Sequence, residues 1–125
     1  MKTIVITPTY NEAKNILTLI ENVLIQSPYI DILIIDDNSP DGTGNITKTI
    51  SETNQRVKLI ERDKKLGLVS AYITGFKYAL DNGYDNIIEM DGDLSHDPNN
   101  LRDMLQVVKD YDVVIGSRYS EGVSV

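Results

Sequence analysis

The chain has 125 residues, 41% of them hydrophobic, with a formal net charge of −7 and no cysteine. That length suits a single domain with a real core, and the lack of thiols excludes a disulfide frame, a thiolate zinc site and a cysteine nucleophile. The acidic balance argues against broad binding to nucleic-acid phosphates, which takes a cationic face, and every apolar run falls well short of the ~20 residues that span a bilayer.

Taken in order, Thr3-Ile4-Val5-Ile6-Thr7 reads as a strand covered on both faces, and Pro8-Thr9-Tyr10-Asn11-Glu12 breaks it. Ile16, Leu17, Ile20, Val23 and Leu24 recur at helical spacing up to Ser27-Pro28. Ile32-Leu33-Ile34-Ile35 is a second buried strand, halted by the turn-rich run from Asp36 to Gly42. A weaker helix, rich in Thr, Ser and Asn, covers residues 43–53, and Val57-Lys58-Leu59-Ile60 is a short third strand. Leu66-Gly67-Leu68 leads into a helix with Val69, Tyr72, Ile73, Phe76 and Leu80 on its predicted apolar face, closed by Asn82-Gly83. Tyr72, Phe76 and Tyr78 are expected to be packing residues. Ile87-Ile88-Glu89-Met90 is the fourth strand. Asp97-Pro98 opens a helix lined by Leu101, Met104, Leu105 and Val108, and Val113-Val114-Ile115 is the fifth strand. Strand and helix alternate throughout, which predicts a Rossmann-like α/β fold: a parallel sheet with helices on both faces.

In such a sheet every loop that follows a strand lies on the carboxyl edge, where ligands bind. The chemically distinctive residues fall in those loops. Pro8, Tyr10 and Glu12 follow the first strand, Asp36 and Asp37 the second, Asp91-Gly92-Asp93 the fourth and Arg118 the fifth. In an extended segment Asp91 and Asp93 point the same way, and two carboxylates aimed at one place repel unless a cation lies between them. Hard oxygen ligands suit Mg²⁺ or Mn²⁺, commonly shared with a substrate's phosphates. The competing reading of that stretch is an acidic turn that caps the next helix. An aromatic ring can stack on a base, carboxylates can accept base N–H groups or ribose hydroxyls, and arginine can grip phosphate. The set reads as a nucleotide site that works through metal instead of a glycine-rich phosphate loop.

Other chemistries find less support. Gly42-Thr43-Gly44 starts like a dinucleotide fingerprint, but Thr47 stands where its third glycine belongs. No Walker-type Gly-Lys-Ser/Thr occurs. An EF-hand opening at Asp91 would need glycine and glutamate where His96 and Arg102 stand. A response-regulator-like domain would cluster its acids after the first and third strands, not the second and fourth. His96, the one histidine, reads as a helix-start residue, and neither Ser39 nor Ser95 has a histidine or lysine at nucleophile spacing. Lys64 and Lys65 read as solvated loop charges within reach of a phosphate.

Taken together, Pro8-Thr9-Tyr10-Asn11-Glu12, the run Asp36-Asp37-Asn38-Ser39-Pro40-Asp41-Gly42-Thr43, Met90-Asp91-Gly92-Asp93-Leu94-Ser95-His96 and Gly116-Ser117-Arg118-Tyr119 resemble the family-2 glycosyltransferases of GT-A fold. Within them the likeness is greatest to the dolichol-phosphate (polyprenol-phosphate) mannosyltransferases. The resemblance implies inverting, metal-dependent transfer of a hexose, mannose from GDP-mannose, to a polyprenyl phosphate at the cytoplasmic face of a membrane. It implies that Pro8, Tyr10, Glu12 and one or both of Asp36 and Asp37 hold the nucleoside. Asp91, Gly92 and Asp93 would meet the diphosphate, with Asp91, Asp93 and Ser95 around Mg²⁺ or Mn²⁺ and Arg118 near the phosphates. Two departures from the family pattern stand out: Val69 occupies a position where glycine is usual, and Gly92 one where alanine is usual. The chain also stops just past Tyr119, where the family continues toward the acceptor. Residues 1–125 are therefore expected to form one GT-A-like donor-binding domain, truncated at its C-terminus. The alternative is a catalytically idle nucleotide-binding module whose uncovered apolar surface favours self-association.

Overall fold

The computed structural model describes residues 2–90 together with the backbone of 113–116 and 123–124. Its elements are β1 (Thr3–Thr9), α1 (Ile16–Leu24), β2 (Ile30–Asp36), α2 (Thr43–Thr53), β3 (Val57–Glu61), α3 (Leu68–Asp81), β4 (Asn86–Glu89), β5 (Val113–Gly116) and β6 (Val123–Ser124). Among the described residues these strands form one sheet in the order β3-β2-β1-β4-β5-β6. The first five are mutually parallel and β6 pairs antiparallel with β5. Strand order reverses between β1 and β4, which makes their carboxyl ends the switch point of the sheet. The expected helix opening at Asp97-Pro98 lies outside the described residues.

Side-chain alternation along the strands divides the core in two. Val5, Ile30, Ile32, Ile34 and Ile88 face α1 and α2, where Ile16, Leu19, Ile20 and Val23 meet them. Ile4, Ile6, Leu33, Ile35 and Ile87 face α3. Runs of consecutive β-branched residues are what a strand covered on both sides requires. Arg56, just before β3, ties the first layer's edge. Its Nε donates to the Ile30 carbonyl at 2.9 Å, and Nη2 donates to the carbonyls of Leu24 (3.0 Å) and Ser27, closing the end of α1.

Three expectations are corrected. Pro8 does not break β1, which pairs with β2 as far as Thr9↔Asp36. In a parallel ladder alternate residues bond to opposite neighbours. The Ile6 carbonyl accepts from Met90 N–H on the β4 side, while that of Thr9 accepts from Asp37 N–H on the β2 side. Pro8 therefore faces β4, whose register with β1 ends at Ile6↔Glu89, and its missing N–H removes no bond from either described ladder. In α1 Leu19 is buried alongside Ile16, Ile20 and Val23, and Leu17 is exposed.

The third correction concerns α3. Its buried residues are Ala71, Gly75 and Ala79, whereas Val69 and Leu80 are 73% and 71% exposed. Small residues at four-residue spacing let the helix axis approach the sheet, and Tyr72, Phe76 and Tyr78 pack along the flanks of that seam. At Gly75 an added Cβ would stand 2.6 Å from Ile6 Cγ2, so the close approach itself demands glycine. No described helix is long and apolar enough to cross a membrane.

A candidate nucleotide site at the carboxyl edge

Parallel strands deliver the chain to one edge of the sheet, and hydrogen bonds lock together the loops that leave β1, β2 and β3. Asp36 closes β2 with its carboxylate turned inward, 1% exposed. Its Oδ1 accepts from Thr9 Oγ1 at 2.7 Å and Ser39 Oγ at 2.6 Å, and its Oδ2 accepts from Ser39 N–H at 3.0 Å. Gly44, in the first turn of α2, is what makes room for it, since a Cβ there would lie 3.0 Å from Oδ2. Asp36 thus fastens the end of β1 to the loop after β2.

The loop after β1 is strapped to the same segment. Asn11 N–H donates to Ser39 Oγ, Glu12 N–H to Thr43 Oγ1 and Ala13 N–H to Asp41 Oδ2, at 2.9, 3.0 and 3.0 Å. Asn11 and Asn38 hold φ of 56° and 52°, the left-handed region that asparagine tolerates better than most side chains. The Thr43 hydroxyl beside Asp41, aided by backbone N–H donors, holds the Asp41 carboxyl below its ordinary value of 3.8. A depressed carboxylate adds stability that is fully present above its unfolded value and lost as pH falls through the folded one. Acid titration is therefore expected to release the Ala13 and Thr43 amides only below pH 3.8. Amide NMR shifts check this: in Asp41→Asn the step disappears, and an unchanged step would assign it to another group.

Asp37 has a different setting. Arg62, one residue past β3, grips it with Nε to Oδ1 at 2.6 Å and Nη2 to Oδ2 at 2.8 Å, and the Leu66 N–H reaches Oδ2 at 3.3 Å. Asn38 Nδ2 donates to the Asp63 carbonyl at 3.1 Å, so residues 62–67 are bound to the loop after β2. That brings Lys65 Nζ to 4.6 Å from the centre of the Tyr10 ring, a cation–π contact. Between these groups lies a cleft of about 130 Å³, lined by Pro8, Thr9, Tyr10, Asp37, Lys65, Gly67, Leu68 and Ala71. A larger, more open hollow of about 600 Å³ runs beside β3, past Lys48, Ser51, Gln55 and Lys58. It contains none of the residues expected to bind nucleotide or metal, and the smaller cleft is the one at the switch edge.

Of the expected nucleoside residues, Pro8, Tyr10 and Asp37 line one cleft. Glu12 and Asp36 are not among its walls. The Glu12 carboxylate accepts from Asn15 Nδ2 at 3.1 Å and its carbonyl starts α1, while Asp36 serves the loop anchor. Asp91, Gly92, Asp93, Ser95, His96 and Arg118 lie outside the described residues. Among the described residues no group of three or more His, Asp or Glu side chains is placed to hold a metal ion. Sequence reasoning passed over Arg62 and Thr9. The signal for Arg62 was its place directly after a strand, on the edge where Asp37 had already been put.

A sheet of this order, with its loops gathered at the switch edge, defines a GT-A-type α/β domain. Residues 4–125 match the family described as glycosyl transferase family 2, and the chain belongs to that family. It is 41% identical over 122 residues to an undecaprenyl-phosphate mannosyltransferase of Micrococcus luteus, an alignment covering 98% of the chain and 50% of that protein. It is 41% identical over 126 residues to a polyprenol monophosphomannose synthase of Mycolicibacterium smegmatis (99% and 48%). With a dolichol-phosphate mannosyltransferase of Pyrococcus furiosus it shares 39% over 125 residues (98% and 34%). The chain therefore spans half or less of the length of these relatives. Two solved structures share the fold. Mannosyltransferase PcManGT from Pyrobaculum calidifontis, in complex with GDP-Man and Mn²⁺, superposes with TM-score 0.64 at 24% identity, over 81% of this chain and 31% of its own. S. aureus TarS gives 0.68 at 23%, over 89% and 33%.

Proposed function

We propose that this chain is the donor-binding portion of a metal-dependent, inverting glycosyltransferase that moves mannose from GDP-mannose to a polyprenyl phosphate. Residues 1–125 would belong to one GT-A-like domain of that enzyme. The observation that carries the reading is the convergence of Pro8 and Tyr10 from β1 with Asp37 from β2 in one cleft at the switch edge. The names of the relatives, and the GDP-Man and Mn²⁺ in the Pyrobaculum structure, support the choice of donor, acceptor class and ion. Tyr10 offers its ring to the base and Asp37 an acceptor to a base N–H.

The Met90 N–H donates to the Ile6 carbonyl at 3.0 Å, so β4 stays on the sheet up to the residue before Asp91. The donor set fits a hard divalent cation: Asp91 and Asp93, with Ser95, would hold Mg²⁺ or Mn²⁺, and Gly92 and Arg118 would meet the diphosphate. The ion would supply charge compensation for the departing nucleoside diphosphate. A phosphate monoester acceptor, with a second pKa of about 6, is already ionised at neutral pH and asks little of a general base. That agrees with switch-edge loops whose sequence carries Asp36, Asp37, Asp91 and Asp93 and a single histidine, His96.

Calorimetry with GDP-mannose and Mn²⁺ tests the proposal. The wild-type chain is expected to bind only with the metal present, and Asp91→Ala to weaken binding by roughly tenfold or more, the equivalent of ~1.4 kcal/mol. Equal binding with and without metal, or by Asp91→Ala and wild type alike, would remove it. Binding without mannosyl transfer to a polyprenyl phosphate would favour the idle-module reading.

A further inference from the structure

The guanidinium of Arg62 has five N–H donors, four of which are engaged. Nε and Nη2 take the two oxygens of Asp37, Nη1 donates to Ser70 Oγ at 2.8 Å, and Nη2 also reaches the Gly67 carbonyl at 3.3 Å. Both side chains of the ion pair are 8% exposed. One residue thereby joins the exits of β2 and β3 to the first turn of α3. Surface ion pairs do not make such a set of contacts; this is a planar fork holding a planar carboxylate in one orientation.

The lone pairs of Asp37 can be counted. Oδ2 accepts from Arg62 Nη2 and from the Leu66 N–H, which uses both of its lone pairs. Oδ1 accepts from Arg62 Nε alone among the described residues and keeps one. A carboxylate so fixed offers a ligand in the cleft a single acceptor. Guanine and uracil carry a ring N–H on their pairing edge and satisfy it. Adenine and cytosine carry a lone pair on the corresponding ring nitrogen, which the carboxylate repels. An Asp37 able to rotate could instead accept from the exocyclic amino group of either, so selection among bases needs the carboxylate held still.

We propose that Arg62 is a positioning residue that sets which base the cleft accepts, acting through the orientation of Asp37. The inference rests on the reading of this cleft as a nucleotide site. Arg62 does not touch the base; it removes the rotational freedom that would let Asp37 tolerate the wrong one.

The test compares GDP and ADP binding, each with Mn²⁺, by calorimetry for the wild type, Arg62→Lys and Ser70→Ala, with thermal melts run in parallel. The wild type is expected to prefer GDP. Lysine restores the charge but not the two-point grip, so Arg62→Lys should lower the GDP-to-ADP preference roughly tenfold. Ser70→Ala, which removes only the Nη1 contact, should shift it the same way by less. A purely structural role would lower both affinities together and leave their ratio alone. An unchanged ratio in folded Arg62→Lys overturns the proposal. If Arg62→Lys does not fold, an unchanged ratio in Ser70→Ala overturns it equally. A wild type that binds neither nucleotide overturns the reading of the cleft, and this inference with it.

Discussion

Asp36→Ala is expected to lose about 3 kcal/mol or more of folding stability, because three donors built around that carboxylate would lose their acceptor. Thr9 Oγ1 is the costliest of them: Thr9 is 4% exposed and its hydroxyl has little access to replacement water. The Ser39 N–H and hydroxyl follow, and both help shape the loop that carries Asp37. Against this stands a gain, since a buried carboxylate that has no ion-pair partner among the described residues is expensive to desolvate. The loss wins because one side chain satisfies all three groups and nothing on the alanine can substitute. Asp36→Asn keeps the shape and part of the acceptor capacity, and should fall between alanine and wild type. Chemical denaturation with an unchanged m-value measures the difference. A midpoint within error of wild type for Asp36→Ala would show that the loop anchor lies elsewhere.

Gly75→Val should destabilise the chain at the upper end of the ~1–3 kcal/mol range for overpacked cores, or beyond it. A Cβ alone would meet Ile6 Cγ2 at 2.6 Å, Ile6 Cδ1 at 2.8 Å and Ile35 Cδ1 at 3.1 Å. Both isoleucines are 0% exposed, central in the sheet and packed on every side, so neither can swing away cheaply. Alanine is the informative comparison. It gains about 1 kcal/mol of helix propensity over glycine, yet the same three contacts oppose it, and a small net loss is expected. Thermal melts of both variants check the order. Valine as stable as wild type would mean that α3 rides higher on the sheet than its small-residue seam implies.

The sheet was legible from the sequence because its strands are continuous β-branched runs cut off by turn-forming residues, and because helices alternate with them. The edge that carries the site followed from parallel topology alone, so Pro8, Tyr10 and Asp37 could be placed together before any coordinates. What escaped has physical causes. Hydrophobic spacing marked Val69, Ile73 and Leu80 as the inner face of α3, but the helix buries the small residues Ala71, Gly75 and Ala79 instead. Periodicity counts apolar side chains and is blind to a seam chosen for closeness. The two adjacent aspartates, Asp36 and Asp37, look equivalent in a string of letters. Successive side chains in extended backbone point to opposite faces, so one became an internal tie and the other a wall of the cleft. Arg62 was hidden because its significance depends on a partner 25 residues away, across two strands.

The proline in the central strand has a consequence of its own. The described register of β1 with β4 ends at Ile6↔Glu89, and an amide hydrogen two residues further on, facing that same side, would invite another extended segment to dock there. Pro8 has no hydrogen to offer on that side. An imino acid so placed cannot donate to backbone laid along that side, which limits how far strand pairing can run past the switch point.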